Sequence, residues 1–269
     1  MKLQIMSDLH LDYPGSGGPP PLAAGVGMVV VAGDTCEGLV KAIEHLRRAY
    51  PAPTEIIMVA GNHELWSKRL AFEEHFEEGH LAAEDHGVTL LENSVKIVNG
   101  VRLIGCTLWT DYELFGTSMG EAAMRTAAET MLDHRRIKWS RNPWQRFRPA
   151  EARILHHQSR SFLEAQLATA HAGPTVCISH HAMTLEAVAP VFRDNIATAA
   201  YASELTSMID LYQPDLIVSG HTHYSIDIRR GRTRLISNPA GYAGENRSFE
   251  SEFVVALPSL SSPGIRDDD

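Results

Sequence analysis

Five short clusters of metal-ligand residue types follow one another along the 269-residue chain. They are Asp8-Leu9-His10, Gly33-Asp34, Gly61-Asn62-His63-Glu64, Ser179-His180-His181 and Gly220-His221-Thr222-His223. Carboxylate, imidazole and amide ligands without a thiolate suit Mn, Fe or Zn at a catalytic centre better than a closed structural zinc knot. Two histidines separated by one residue project the same way only from extended backbone. Any one cluster alone is an ordinary turn. Five in succession carry more weight because of where each one stands.

Each follows a short apolar, β-rich run, at residues 3–6, 28–31, 56–59, 175–178 and 216–218. Ligands of open α/β sheets bind in the crevice outside the carboxyl ends of the strands, so five strands deliver their polar tips to one place. Gly33, Gly61 and Gly220 let the backbone turn sharply there. Helical stripes alternate with the runs: Leu39, Ile43, Leu46 and Tyr50, then Leu205, Met208, Ile209 and Tyr212, stopped by Pro51 and Pro214. Phe72 and Phe76 mark another amphipathic helix, whose wet side is Glu73, Glu74, Glu77 and Glu78. The pattern is α/β layering. Residues 95–98 and 101–104 flank Asn99-Gly100, a two-residue hairpin signal, which predicts a mixed sheet. The stretch of about 117–172 predicts two inserted helices broken near Asn142-Pro143, and 258–269 predicts a disordered tail. The expected organisation is a single domain over 1–257 carrying that helical insert.

A net charge of -9 gives no general attraction for a polyanion, so a phosphate-bearing substrate must be held locally or by metal. Cys36, Cys106 and Cys177 lack ligand-like spacing and read as reduced, buried thiols of a cytosolic protein. No run resembles an export signal, and the longest apolar stretch, 22–32, is about half of what a membrane span needs. A cytoplasmic location and no membrane partner are expected.

The ordered pattern Asp8-x-His10, Gly33-Asp34, Gly61-Asn62-His63-Glu64, His180 and Gly220-His221-x-His223 resembles the calcineurin-like metallophosphoesterase superfamily over about residues 3–240. The resemblance implies a four-layer α/β/β/α sandwich of two mixed sheets with a dinuclear centre at one edge. It implies that Asp8, His10 and His223 hold one ion, that Asn62, His180 and His221 hold the other, and that Asp34 bridges two divalent or trivalent ions (Mn, Fe or Zn). His63 then faces the phosphoryl group and serves the leaving group. The reaction so implied is in-line attack by a metal-bridging hydroxide, without a covalent enzyme intermediate. Protein Ser/Thr phosphatases of the superfamily continue Gly-Asp into an arginine-containing stretch. Here Thr35-Cys36-Glu37-Gly38 follows, and the length and Gly-His-x-His ending look more like the bacterial phosphodiesterase branch.

Substrate contacts have softer signals. His181 is an alternative donor to His180, or a neighbour of the metal shell. Trp109, Asp111 and Tyr112 follow the hairpin strand towards the crevice. In the insert, Arg135, Arg136, Lys138, Arg141, Arg146 and Arg148 interleave with Trp139, Trp144 and Phe147. Basic residues mixed with aromatics can track phosphates and stack bases; the alternative is a helical cap or a contact between subunits of a homo-oligomer. The histidines at 45, 75, 80, 86, 134, 156, 157 and 171 read as solvated helix faces. The leading function is a phosphodiesterase on a small phosphoester. Alternatives are a nuclease on single-stranded nucleic acid, a phosphomonoesterase and a non-catalytic binding module of the same fold.

Overall fold

A computed structural model describes residues 1–67 and 69–257; the expected tail at 258–269 lies outside the described residues. The chain opens β1 (Lys2–Met6), β2 (Met28–Ala32), α1 (Leu39–Ala49), β3 (Glu55–Val59), α2 (Phe72–His86), β4 (Thr89–Leu90), β5 (Ser94–Val98) and β6 (Val101–Cys106). The insert follows with α3 (Gly120–Thr130), α4 (Asp133–Arg136), β7 (Lys138–Arg141), β8 (Trp144–Arg146) and α5 (Pro149–Ala168). Then come β9 (Thr175–Ser179), α6 (Thr206–Tyr212), β10 (Leu216–Ser219), β11 (Ile226–Arg230), β12 (Thr233–Ser237) and β13 (Val254–Ala256).

One sheet has the order β13-β1-β2-β3-β4 and the other β11-β12-β10-β9-β6-β5. Strands carrying the ligand clusters run parallel, while β13, β11 and β5 pair antiparallel at the edges. Both sheets are mixed, as the hairpin signal predicts. Asn99 and Gly100 adopt φ of 50° and 77°, the left-handed pair that a tight hairpin turn requires.

The two-residue period of the strands builds the layers. Leu3, Ile5, Val30, Ile57 and Val59 meet Leu103, Val176, Ile178, Leu216 and Val218 of the other sheet in one apolar cluster. The alternate residues Val29, Val31, Ile56 and Met58 pack on Leu39, Ile43 and Leu46 of α1. On the far side Ile104, Cys177 and Ile217 pack on Leu163 of α5 and Met208 and Ile209 of α6. Helix, sheet, sheet and helix follow in order. Each buried side chain in such a core contributes roughly 1.5–3 kcal/mol, so both sheets are held rigid beneath the strand ends. All three cysteines are free and buried.

Two expectations need correction. The insert is not two helices: the segment around Asn142-Pro143 turns a β-hairpin, β7–β8, between α4 and α5. Proline removes a helical donor and Trp139 and Trp144 favour strands, which overrides the Arg- and Glu-rich composition around them. The hairpin lies over an apolar cluster of the insert, where Phe147 is fully buried with Phe72, Trp109 and Ile137. Three of the histidines expected on wet faces are also buried: His75, His134 and His156, at 2%, 7% and 0% exposure. His156 donates from Nδ1 to the carbonyl of Trp109 at 2.7 Å.

Burial pushes the pKa of His75 down to about 4; Glu74 opposes this only in part, and Lys138 and Arg69 add to it. An unfolded chain takes up that proton near pH 6.5, so His75 favours the fold fully above that pH and loses its contribution as pH falls towards 4. Between pH 7 and 4.5 the wild-type protein should lose about 2 kcal/mol more stability than His75→Leu, by urea denaturation at each pH. Equal losses would contradict a neutral, buried His75.

Candidate metal centre

The five ligand clusters meet at the carboxyl ends of β1, β2, β3, β9 and β10. Asp8, His10 and His223 bring one set of donor atoms within 4.8 Å of each other, and Asp34, His180 and His221 bring another. A third combination, His10, Asp34 and His63, re-uses members of both sets and so defines no separate place for an ion. Asp8, His10, Asp34, His180 and His221 are almost wholly buried.

The backbone is bent to make this meeting. Asp8, His10, Asp34, His221 and His223 all sit at positive φ, between 43° and 67°, which non-glycine residues rarely adopt. Such conformations persist only where the surroundings over-determine them. Glu64 supplies part of that constraint. Its carboxylate accepts from the amides of Gly61 (2.8 Å), Asp34 (2.9 Å) and Thr35 (2.6 Å), tying the tip of β2 to the tip of β3. Burial, with Asp34 beside it, pushes the pKa of Glu64 up to about 7.

The hydrogen bonds also leave particular atoms over. Asp34 Oδ1 accepts from the amide of His63 at 2.9 Å. Its Oδ2 faces Nε2 of His180 (3.5 Å), His63 (3.8 Å) and His10 (3.9 Å). His180 donates from Nδ1 to the carbonyl of Ala32 at 2.8 Å, which directs the Nε2 lone pair inward. There Nε2 meets Oδ1 of Asn62 at 3.0 Å and Nδ1 of His221 at 3.1 Å. Across the centre, Nε2 of His10 and Nε2 of His223 stand 3.0 Å apart. Glu245 accepts from Nδ1 of His223 at 2.6 Å, so this ring too turns a lone pair inward, the carboxylate–histidine arrangement of metal sites.

Acceptors facing acceptors in a dry pocket repel unless positive charge lies among them. Where no ion is bound, a proton supplies that charge. Burial opposes a charge on His180, yet Asp34 outweighs it and pushes the ring up to about 9. Burial also opposes a charge on Asp34, but the surrounding imidazoles hold its carboxyl well below the usual range. The donor set fits divalent cations at both places.

A cleft of about 470 Å³ opens from these donors. Asp34, Asn62, His63, His221 and His223 form its floor, and Met131, Leu132, Val188, Phe192 and Tyr201 give an apolar wall. Among the described residues none that lines it is lysine or arginine. His63 reaches the floor with its ring stacked on Trp66 at 3.6 Å, and its Nε2 lies 3.4 Å from the hydroxyl of Tyr242.

The other substrate candidates lie elsewhere. Trp109 and Tyr112 are buried in the apolar cluster of the insert. Asp111 is buried 3.5 Å from His156. His181 packs behind the centre, 4.2 Å from the His221 ring; burial and the adjacent His180 push it down to about 3, so it stays neutral. Arg135 donates to the carbonyl of Glu129, Arg136 pairs with Glu37 at 2.6 Å, and Arg141 pairs with Glu74 at 2.9 Å. Trp139 packs on Phe72, and Trp144 is exposed beside Arg146. Arg136, Arg141 and Arg148 of the basic cluster bind acids of this chain, and no member of the cluster lines the cleft. Asp133, Trp66, Tyr201, Tyr242 and Glu245 do line it, and sequence reading passed over them. Only Tyr242 and Glu245 had a pointer, the tight-turn sequence Asn238-Pro239-Ala240-Gly241 just before them.

The family model for calcineurin-like phosphoesterases matches residues 1–225. No curated protein matches the chain. Among solved structures, a phosphopantetheinyl hydrolase (PptH) from Mycobacterium tuberculosis is similar, with a TM-score of 0.72 and 20% identity over 98% of each chain. A putative 5'-nucleotidase from Staphylococcus aureus aligns with a TM-score of 0.49 and 12% identity, over 90% of this chain and 49% of its own.

At Gly61 an added Cβ would meet the Asp34 carboxylate and lie 2.6 Å from the Asp34 amide. Gly61→Ala must therefore push Asp34 out of place. It should lose at least one metal equivalent by elemental analysis and about 1–3 kcal/mol of stability. A variant with wild-type metal content would contradict the placement of Asp34.

Proposed function

The chain belongs to the calcineurin-like phosphoesterases, metal-dependent hydrolases of phosphate esters, and on that premise we propose a dinuclear phosphodiesterase acting on esters with an uncharged organic arm. Asp8, His10 and His223 would hold one ion and Asn62, His180 and His221 the other, with Asp34 Oδ2 facing His10 of the first set and His180 of the second. The inward convergence of nitrogen and oxygen atoms at the two donor sets is the observation that carries this assignment. Nitrogen and oxygen donors without thiolate suit Mn, Fe or Zn. When bound, such a pair lowers the pKa of a shared water and neutralises charge on the phosphoryl oxygens.

The protein's own groups do the rest. His63 is fixed by its stack on Trp66 and opens on the cleft floor, so its Nε2 can give a proton to the departing oxygen. The apolar wall excludes water and receives the ester's organic arm. A second phosphate or a polynucleotide backbone would meet Asp133 and Glu245 without a basic partner, which supports a single phosphoryl group. The Mycobacterium tuberculosis neighbour is named for the phosphopantetheinyl group, which has such an arm, and a diester of that group is the first candidate to test.

With Mn added, kcat/KM should be at least about tenfold higher for alkyl or pantetheinyl diesters than for nucleoside diphosphates or single-stranded DNA, the scale of one well-used apolar contact. Preference for DNA would favour the nuclease reading, and preference for monoesters would favour the phosphomonoesterase reading.

His63→Ala should keep both metal equivalents and lose about 10²- to 10⁴-fold in kcat on an alkyl diester. The loss should shrink for a nitrophenyl ester, whose leaving group needs no proton. Equal losses on both would contradict the acid role.

A further inference from the structure

Asp133 belongs to no donor set, yet two parts of the centre rest on it. It begins α4 in the insert, is 3% exposed, and accepts through Oδ1 from Nδ2 of Asn62 and from Nε1 of Trp66, each at 2.8 Å. We propose that Asp133 is a positioning residue that locks the Asn62 amide with its oxygen towards the metals and holds the indole on which His63 stacks.

The physical case begins with the shape of an amide. Its oxygen and nitrogen ends are nearly equal in size, so a half-turn of Asn62 would exchange an acceptor for a donor at little steric cost. Only a partner can forbid that turn. Asp133 Oδ1 already takes the Trp66 indole N–H, a group that can only donate, so this oxygen is an acceptor; Asn62 must offer it N–H and leave its own Oδ1 facing His180 Nε2. A reversed amide would aim N–H groups at a cation.

The same oxygen fixes Trp66. The indole donates to Asp133, carries His63 at 3.6 Å, and has the guanidinium of Arg136 at 4.5 Å from its ring centroid. Arg136 lies one turn along α4 from Asp133 and is itself tied to Glu37. One short helix of the insert therefore grips the loop after β3 at two points. The basic–aromatic stretch, for which the sequence left a substrate surface and a helical cap or subunit contact open, serves at Arg136 to hold this grip.

The proposal rests on Asn62 being a metal donor, and the test separates the two. Titration of metal-free protein with Mn by calorimetry reads the equivalents and their affinities without turnover. Asp133→Leu should weaken one of two equivalents by about 10- to 100-fold, the usual effect of losing such a partner, and leave the other unchanged. Asp133→Asn keeps an acceptor oxygen and should stay within about threefold of wild type by the same reasoning. Trp66→Phe removes one of the two donors to Asp133 and should keep both equivalents, while lowering kcat more than KM for alkyl diesters. Unchanged binding in Asp133→Leu, or equal weakening of both equivalents, would overturn the proposal. If Asp133→Leu does not fold, a loss in Asp133→Asn as large as that in Asn62→Ala would overturn it instead. A wild-type protein that binds a single equivalent removes the donor role of Asn62, and with it both readings.

Discussion

Acceptor lone pairs held face to face, out of reach of water, raise the energy of a protein unless positive charge lies among them. Here Oδ1 of Asn62 faces Nε2 of His180, and Nε2 of His10 faces Nε2 of His223, each pair 3.0 Å apart. Three of these four are aimed inward by a bond made on the residue's other side: Asn62 to Asp133, His180 to Ala32, His223 to Glu245. The left-handed backbone at Asp8, His10, Asp34, His221 and His223 is a further cost of bringing them together. Two sheets packed face to face provide the rigidity that sustains it, because no strand tip can shift without disturbing a close-packed core.

Much of this was legible in the sequence. The strand runs and their order were visible as short β-rich segments, and the donor clusters stood at their carboxyl ends, so the crevice followed from topology alone. The Asn99-Gly100 hairpin was legible because only a left-handed pair closes such a turn. The insert was not. Its arginines suggested a substrate surface, but side-chain partners are set by tertiary contact: Arg136 meets Glu37 and Arg141 meets Glu74, both far away in sequence. His75, His134 and His156 misled for the same reason, since a histidine among charged neighbours carries no local sign of burial. Asp133 was illegible too, as nothing in Leu132-Asp133-His134 hints at a partner 71 residues earlier.

The insert thus has a different part from that of a basic lid. Its apolar cluster, centred on Phe147, seats it against Phe72 and Trp109, and this seating brings α4 to the edge of the centre. From there it offers Met131 and Leu132 to the cleft wall and Asp133 to Asn62. Chemistry and selectivity meet in one short segment: a carboxylate turned towards the metal donors and apolar neighbours turned towards the organic arm.

The central claim is that the two donor sets bind a pair of ions with Asp34 between them. Crystals grown with Mn and measured by anomalous diffraction test it most directly. The account predicts two anomalous peaks about 3.5–4 Å apart, one near Asp8, His10 and His223 and one near Asn62, His180 and His221, with Asp34 Oδ2 in contact with both. A single peak, or peaks away from Asp34, would contradict it.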